Sequence, residues 1–234
     1  MNPADLYLRV REKEGRLYPD DVLVRLPEVP NGHPLASEWR ARAASSLRLR
    51  RYLASLSRPL VILELGCGNG WLSRNLSYIA GSRVWGLDRS GQELAQAARL
   101  FGSNALAFLE ADVYRAPFAA RTFDAIVLAS ALQYFPDPPA LFRALRLLLN
   151  PLGEIHLLDS PLYKPDELLA ARERTRRYYA SLGFPEMAEH YHHHPLSILE
   201  EFSPRWLYRP MRMPDRLVRL LGRNASPFPW IVLR

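Results

Sequence analysis

The sequence has 234 residues, a length that suits one domain with additional elements at its ends. Hydrophobic residues make up 48% of it, which excludes a disordered chain, and no apolar run reaches the roughly 18 residues of a membrane-spanning helix. The net charge of +7 leaves an acidic partner such as RNA open, but the basic residues are almost all arginine, which indicates a coding bias. A surface without a nucleic-acid role is therefore favoured.

The cysteine content and the first residues bear on the cellular compartment. Cys67 is the only cysteine, so an internal disulfide and a cysteine-based zinc cluster are both excluded. Residues 1–5 lack the basic and apolar segments of a signal peptide, so a cytoplasmic location is expected.

The N-terminal part combines an irregular arm with a helix. Residues 1–34 carry prolines among charged residues and predict an arm that wraps around the domain, with one short helix. Residues 37–56 predict a helix, because leucines recur there near helical spacing and Ser37 suits the N-cap position.

Short apolar runs then alternate with segments of helical periodicity. Strands are predicted at residues 60–65, 83–87, 105–109, 123–129 and 154–158. Helices are predicted at residues 71–80, 92–101 and 139–149, followed by a turn at residues 150–153. This alternation predicts an α/β fold with a doubly wound, mainly parallel sheet that binds its ligand at the carboxyl ends of the strands.

The last third departs from this alternation. Residues 166–182 predict a long helix closed by Gly183, and residues 189–195 are rich in histidine. Two further strands are predicted at residues 206–209 and 229–233, with a short helix at residues 215–221 between them. We interpret the chain as one domain with an N-terminal arm and helix (1–58), a core (59–160) and a third part (161–234).

A glycine-rich loop follows the first strand directly, in the run Glu64-Leu65-Gly66-Cys67-Gly68-Asn69-Gly70. A dinucleotide, a nucleoside triphosphate and S-adenosylmethionine are the open ligands for such a loop. The third glycine comes one residue early for a dinucleotide motif, and the Gly-Lys-Ser/Thr of a triphosphate site is absent. Glu64 would repel a phosphate but suits the ammonium and sulfonium groups of S-adenosylmethionine.

Two more acidic residues follow the next two strands at the same spacing. Asp88 comes 24 residues after Glu64, and Asp112 comes 24 residues after Asp88. A carboxylate at the end of the second strand can accept hydrogen bonds from both ribose hydroxyls. Asp112 can accept from an adenine amine, while the backbone N–H of Val113 can donate to a ring nitrogen. Taken singly, each acid also suits a solvated loop.

Together these motifs resemble the class I S-adenosylmethionine-dependent methyltransferases, in particular the small-molecule group typified by ubiquinone and sterol methyltransferases. The resemblance covers residues 60–160 and includes Gly86-Leu87-Asp88, Ala111-Asp112-Val113, Phe123–Ala129 and Leu149-Asn150-Pro151-Leu152-Gly153. It implies a seven-stranded sheet whose last strand is antiparallel. It also implies the cofactor-binding residues Glu64, Gly66, Cys67, Gly68, Asp88, Arg89, Asp112, Val113 and Ala129.

The methyl acceptor is less well indicated. Ser130-Ala131-Leu132-Gln133 differs from the Asp/Asn-Pro-Pro-aromatic run of enzymes that methylate amines of DNA bases, and Cys67 lies in the cofactor loop rather than at a cytosine-attacking position. Tyr134 is expected either to line the acceptor pocket or to pack against the N-terminal arm. His156 is expected in the core, whereas Asp159 and Ser160 lie at the open end of their strand and are candidates for touching substrate.

The segment His190-Tyr191-His192-His193-His194-Pro195 is the other candidate for catalysis. A general base at His190, His192 or His193 would suit a hydroxyl or carboxyl acceptor. A polar loop whose histidines bond to backbone is the alternative, and a metal site is disfavoured.

The sequence thus predicts an S-adenosylmethionine-dependent methyltransferase acting on a small molecule, with oxygen slightly favoured over nitrogen as the acceptor atom. An RNA methyltransferase that uses the basic C-terminal region and a non-catalytic binding module of the same fold stay open as alternatives.

Overall fold

The computed structural model describes residues 3–30, 32–210 and 226–234, in which seven strands form one sheet. The strands are β1 (Val61–Leu65), β2 (Arg83–Asp88), β3 (Leu106–Glu110), β4 (Phe123–Ala129), β5 (Leu149–Leu158), β6 (Arg205–Tyr208) and β7 (Trp230–Leu233). Their order across the sheet is β3-β2-β1-β4-β5-β7-β6. Strands β1 to β5 pair in parallel, and β7 is antiparallel to both β5 and β6. The predicted fold class is confirmed.

Helices pack on both faces of this sheet. The helices of the described residues are α1 (Pro3–Lys13), α2 (Asp20–Leu23), α3 (Ala36–Ser55), α4 (Trp71–Ser77), α5 (Gly91–Phe101), α6 (Pro138–Leu148) and α7 (Leu168–Leu182). Those on the sheet include α3, α4 and α5 on one face and α6 on the other. Within the described ranges, no helix combines the length and hydropathy that crossing a bilayer requires. Gly183 adopts a left-handed conformation (φ 86°) directly after α7, which agrees with the predicted helix end.

Burial on both faces explains the apolar character of the central strands. In β4, Ile126 and Leu128 pack into the core on the α6 side, whereas Val127 packs into the core beneath α3 and α4. All three side chains are fully buried. A strand covered by helices on both faces has no solvated side, so its sequence is continuously apolar rather than alternating.

A smaller cluster attaches the N-terminal arm to the opposite end of the chain. Leu6 and Val10 of α1 pack with Tyr179 of α7 and with Met187, and all four are buried. Helix α1 is thereby held beside α7, close to the carboxyl ends of the parallel strands.

Several boundary predictions were wrong. The arm contains two helices instead of one, and α3 begins at Ala36, so Ser37 lies inside the helix while Leu35 occupies the N-cap position without a side-chain hydrogen bond. Residues 150–153 belong to β5 rather than to a separate turn, and a register shift opposite Phe123–Ala125 accommodates them. The predicted helix at residues 215–221 lies outside the described residues.

Candidate active site

A cavity of about 440 Å³ lies at the carboxyl ends of β1, β4 and β5. The glycine-rich loop forms one wall, α1 and α3 of the N-terminal part form a second, and α7 forms a third. Ligands of doubly wound sheets bind at this edge because the parallel strands there give way to loops that can surround them.

The three positions of the loop require glycine for different structural reasons. All three are left-handed, with φ of 75° at Gly66, 49° at Gly68 and 74° at Gly70. A Cβ on Gly66 would lie 2.6 Å from Cβ of Ala131, and one on Gly70 would lie 2.7 Å from the ring of Phe108. A Cβ on Gly68 would meet the Glu93 carboxyl at an ordinary contact distance of 3.5 Å, so its left-handed backbone rather than crowding favours glycine there.

Asp88 fixes the shape of this loop from the end of β2. Its Oδ2 accepts a hydrogen bond from the backbone N–H of Gly68 (2.7 Å), and its Oδ1 accepts from the N–H groups of Arg89 (2.7 Å) and Ser90 (2.9 Å). Hydrogen bonds to a charged carboxylate are stronger than neutral ones. Asp88 therefore ties the glycine loop to the start of α5.

Glu64 is a buried acid in the cavity wall. Its side chain is only 2% exposed, and Oε2 accepts a hydrogen bond from the Ser73 hydroxyl. Burial raises the pKa of this carboxyl to about 8, although the bond from Ser73 opposes that shift. Ionising a buried carboxyl that has no positive partner costs free energy. A positively charged ligand group beside the carboxyl offsets that cost and stabilises the anion.

A second buried acid, Glu93 of α5, was missed by the sequence analysis. Its Oε2 is buried without a hydrogen-bond partner among the described residues, and burial raises its pKa to about 7. Oε1 would lie 3.5 Å from a Cβ placed on Gly68. An acid in the first turn of a helix is common for electrostatic reasons alone, so the sequence offered no signal for this position.

Helix α1 brings two further cavity residues that the sequence analysis missed. The Tyr7 ring makes an edge-to-face contact with Tyr134 (5.5 Å between centroids), and the Arg11 guanidinium lies 5.5 Å from the Tyr7 ring. Burial raises the pKa of Tyr7 well above its usual value. Arg11 also pairs with Glu14 at 3.5 Å.

Tyr134 packs against the arm through Tyr7, as one of its two expectations has it, and it also lines the cavity, while its place in an acceptor pocket stays a prediction. Its ring also makes an edge-to-face contact with Tyr191, whose ring in turn lies 6.1 Å from Tyr179. Tyrosine side chains thus form an aromatic wall of the cavity, made of Tyr7, Tyr134, Tyr178, Tyr179 and Tyr191.

The structure places the histidine segment beside the cavity. His190, His192 and His193 do not line the cavity, and Tyr191 is the residue of that segment that does. His193 is buried and shares a hydrogen bond with the Thr175 hydroxyl through Nε2 (2.9 Å), and the backbone N–H of His192 donates to Gln133 (2.7 Å). These bonds hold His192 and His193 in the loop beside the cavity, and a base at His190, His192 or His193 stays a prediction.

Of the other predicted cofactor residues, Asp88, Arg89, Asp112 and Val113 do not line the cavity. Ala129 lines the cavity. Arg89 is exposed, Val113 is buried, and Asp112 accepts a hydrogen bond from the N–H of Tyr114 (3.0 Å). His156 is in the core as predicted: its Nδ1 accepts a hydrogen bond from Trp230, and burial lowers its pKa to about 4.

The residues around this site are similar in sequence to known proteins. Residues 63–157 match the family model described as a methyltransferase domain. A ubiquinone biosynthesis O-methyltransferase of Xanthomonas oryzae is 31% identical over 134 residues, which cover 56% of this chain and 54% of that protein. Over these residues the chain is similar to the class I S-adenosylmethionine-dependent methyltransferases.

Other proteins similar to this chain differ in their printed acceptors. A sterol 24-C-methyltransferase of Gibberella zeae is 28% identical over 54% of this chain and 36% of that protein. The solved structure of an S-adenosylmethionine-dependent methyltransferase from Mesorhizobium loti shares the fold at 20% identity, with a TM-score of 0.54 over 75% of this chain and 89% of that one. The alignments span about half or less of the curated relatives' length.

The cavity fits S-adenosylmethionine, the methyl donor that the similar methyltransferases indicate. A positively charged ligand compensates buried acids, and the cavity offers Glu64 and Glu93, of which Glu93 has an unpartnered buried oxygen. Burial raises the pKa of Cys67, so this thiol in the cofactor loop is a poor nucleophile. Across the described ranges, no group of three or more His, Cys, Asp or Glu side chains is arranged to hold a metal ion.

Proposed function

We propose that this methyltransferase transfers a methyl group from S-adenosylmethionine to a hydroxyl of a small aromatic molecule. The observation that carries the proposal is Glu64, a 2% exposed carboxyl in the wall of a cavity of about 440 Å³ whose pKa is raised to about 8. Such a group disfavours phosphates and favours a ligand that carries positive charge.

The cofactor-binding roles follow the family resemblance, and the contacts support them. Glu64, Gly66, Cys67 and Gly68 would surround the methionine part, and Ala129 would offer its carbonyl there. Asp88 would hold the ribose while it keeps the glycine loop in shape. The nucleoside end would be held by Arg89, Asp112 and Val113. When bound, S-adenosylmethionine supplies an electrophilic methyl group.

The chain's own contribution is to align the acceptor and exclude water. Helices α1 and α7 contribute two walls of the cavity, and Tyr134 lines it as well. Alignment and water exclusion supply most of the rate enhancement in a displacement whose leaving group is neutral. The proposal treats the arm (1–58), the core (59–160) and the third part (161–234) as one domain, which the packing of α1 against α7 supports.

The aromatic wall supports a ring-bearing acceptor, because tyrosine edges and faces pack well against another ring. The ubiquinone-biosynthesis relative supports oxygen as the acceptor atom, since its name gives it as an O-methyltransferase. The sterol relative methylates carbon, so similarity alone leaves the acceptor atom open.

A methyl-transfer assay tests this proposal. The chain is incubated with S-adenosylmethionine carrying a labelled methyl group and, separately, with catechol, 3,4-dihydroxybenzoate, aniline and a short RNA. We expect label on the two phenols. Label on aniline alone would contradict oxygen as the acceptor, and salt-sensitive transfer to RNA would favour the nucleic-acid alternative. Cofactor binding without any transfer would favour a non-catalytic module.

A further inference from the structure

The ends of β4 and β5 carry two residues in an uncommon backbone conformation. Ser130 has φ of 55° and Asp159 has φ of 51°, in the left-handed region that residues other than glycine seldom adopt. The Ser130 N–H donates to the carbonyl of Leu158 (2.9 Å), and the Ser130 hydroxyl donates to the carbonyl of Asp159 (3.0 Å). These bonds hold both residues in place, and backbone strain that is held in this way concentrates at functional sites.

Among the described residues, hydrogen bonds reach one oxygen of the Asp159 carboxyl. Oδ1 accepts hydrogen bonds from the hydroxyl of Ser45 in α3 (2.8 Å) and from the hydroxyl of Ser226 just before β7 (2.7 Å). Oδ2 accepts none from residues 3–30, 32–210 or 226–234, and Asp159 lies in the cavity wall. Two donors on one oxygen orient the carboxyl and leave the other oxygen for a ligand.

The surroundings of Asp159 suit proton transfer. Burial raises its pKa, opposed by the two serine hydroxyls and by the positive charges of Arg42 and Arg48 in α3. Arg42 is itself paired with Glu38 (2.9 Å), so its charge is partly compensated. A carboxylate with a raised pKa is a stronger base than a solvated one.

We propose, building on the function proposed above, that Asp159 is the catalytic base of this methyltransferase and that its Oδ2 accepts the proton of a phenolic acceptor. The acceptor oxygen gives its proton to Oδ2 and forms its bond to the methyl carbon as the carbon–sulfur bond breaks, with the electron pair of that bond remaining on sulfur. Asp159 then releases the proton to solvent.

The aromatic wall lines the same cavity as Asp159 and could hold the ring of a phenolic acceptor. Tyr134 follows Ser130 by four residues, and both line the same cavity as Asp159. A phenol ring that packs against the tyrosine rings would direct its hydroxyl to the strand ends where Asp159 lies. Asp159, directly after β5, is thus an alternative to the base predicted in the histidine segment.

The test compares the wild type with Asp159→Asn, using 4-nitrocatechol as the probe in the presence of S-adenosylhomocysteine. The visible absorbance of its phenolate reports the pKa of the bound probe. The negative charge of Asp159 disfavours a phenolate beside it, so the bound probe should have a pKa about one unit or more higher in the wild type than in the variant. Asp166→Asn, which removes an exposed carboxylate, serves as the matched control and should match the wild type.

Asparagine tolerates the left-handed conformation and can accept from the same two serines, so the variant is expected to fold. Its melting temperature should equal or exceed that of the wild type, because the substitution removes a buried charge, and its kcat for catechol should fall at least about 100-fold, the usual contribution of a general base. A lower melting temperature with unchanged kcat would indicate a structural role and overturn the proposal.

Other outcomes separate this proposal from the one on which it rests. Equal probe pKa values in the wild type and Asp159→Asn, or failure of the wild type to bind the probe, would overturn the role of Asp159. If the wild type also fails to bind S-adenosylhomocysteine in a calorimetric titration, the proposed function itself fails. Cofactor binding and phenol methylation that persist fully in Asp159→Asn would remove only the proposed base.

Discussion

Glu64 offers a sharp prediction, because its charge state should change when the cofactor binds. Burial raises the pKa of this carboxyl to about 8, so it is mostly protonated at neutral pH in the free protein. The ammonium group of the methionine part favours the ionised form. Binding at neutral pH should therefore release a proton from Glu64.

The size of the effect follows from the pKa. At a pH about one unit below its pKa, ionising a group costs about 1.4 kcal/mol. At about pH 7 this cost therefore lowers the affinity for the ligand by about tenfold relative to the affinity well above pH 8. Affinity for S-adenosylhomocysteine should accordingly rise by up to about tenfold per pH unit between about pH 6 and about pH 8. It should level off at higher pH, where Glu64 is already ionised.

Isothermal titration calorimetry measures both quantities. Titrations of S-adenosylhomocysteine in buffers with different ionisation enthalpies give the number of protons released, and titrations across the pH range give the slope. Glu64→Gln should bind more weakly and should lose the proton release that the wild type shows.

Glu93→Gln is the matched control, because Glu93 is a second buried cavity acid whose pKa is raised to about 7. It should remove at most the part of the pH dependence that lies near pH 7 and keep the part near pH 8. A wild type whose affinity does not change with pH would refute the reasoning, and so would undiminished proton release in Glu64→Gln.

Three further predictions concern other residues of the site. Asp88→Ala should weaken S-adenosylhomocysteine binding by about 1–3 kcal/mol in calorimetry, since it removes a charged acceptor from the glycine loop; unchanged affinity would mean that the ribose lies elsewhere. His193→Ala should lower the free energy of unfolding by about 1 kcal/mol in urea denaturation through loss of its bond to Thr175, while kcat for catechol stays the same; a large fall in kcat with intact folding would support the histidine as a base. Cys67 should react with a thiol reagent only on unfolding, because burial raises its pKa; rapid labelling of the native chain would contradict its position.

The sheet was predictable because its information is local. The strands β1 to β5 are short apolar runs, and buried parallel strands need nothing else to be recognised. Residues 150–153 show the limit of this approach. Proline and glycine there favour a turn, yet pairing with β4 keeps the segment in β5, and the register shift between Phe123 and Ala125 accommodates it.

The cavity wall was only partly predictable because it depends on contacts between distant parts of the chain. Glu64 and the glycines follow a strand in sequence, so their place at its carboxyl end could be inferred. Tyr7 and Arg11 reach the same cavity only because α1 packs against α7, a contact that no local pattern encodes. The histidine segment was predicted to be functional from its composition alone. Its position beside the cavity depends on backbone hydrogen bonds to distant residues such as Gln133, which composition does not reveal.

Calorimetric titration of S-adenosylhomocysteine into the wild-type chain at about pH 8, where Glu64 is substantially ionised, tests the central claim most directly. The account predicts saturable binding at one site per chain, weakened in both Glu64→Gln and Asp88→Ala. A folded wild-type chain that shows no binding under these conditions would contradict the account.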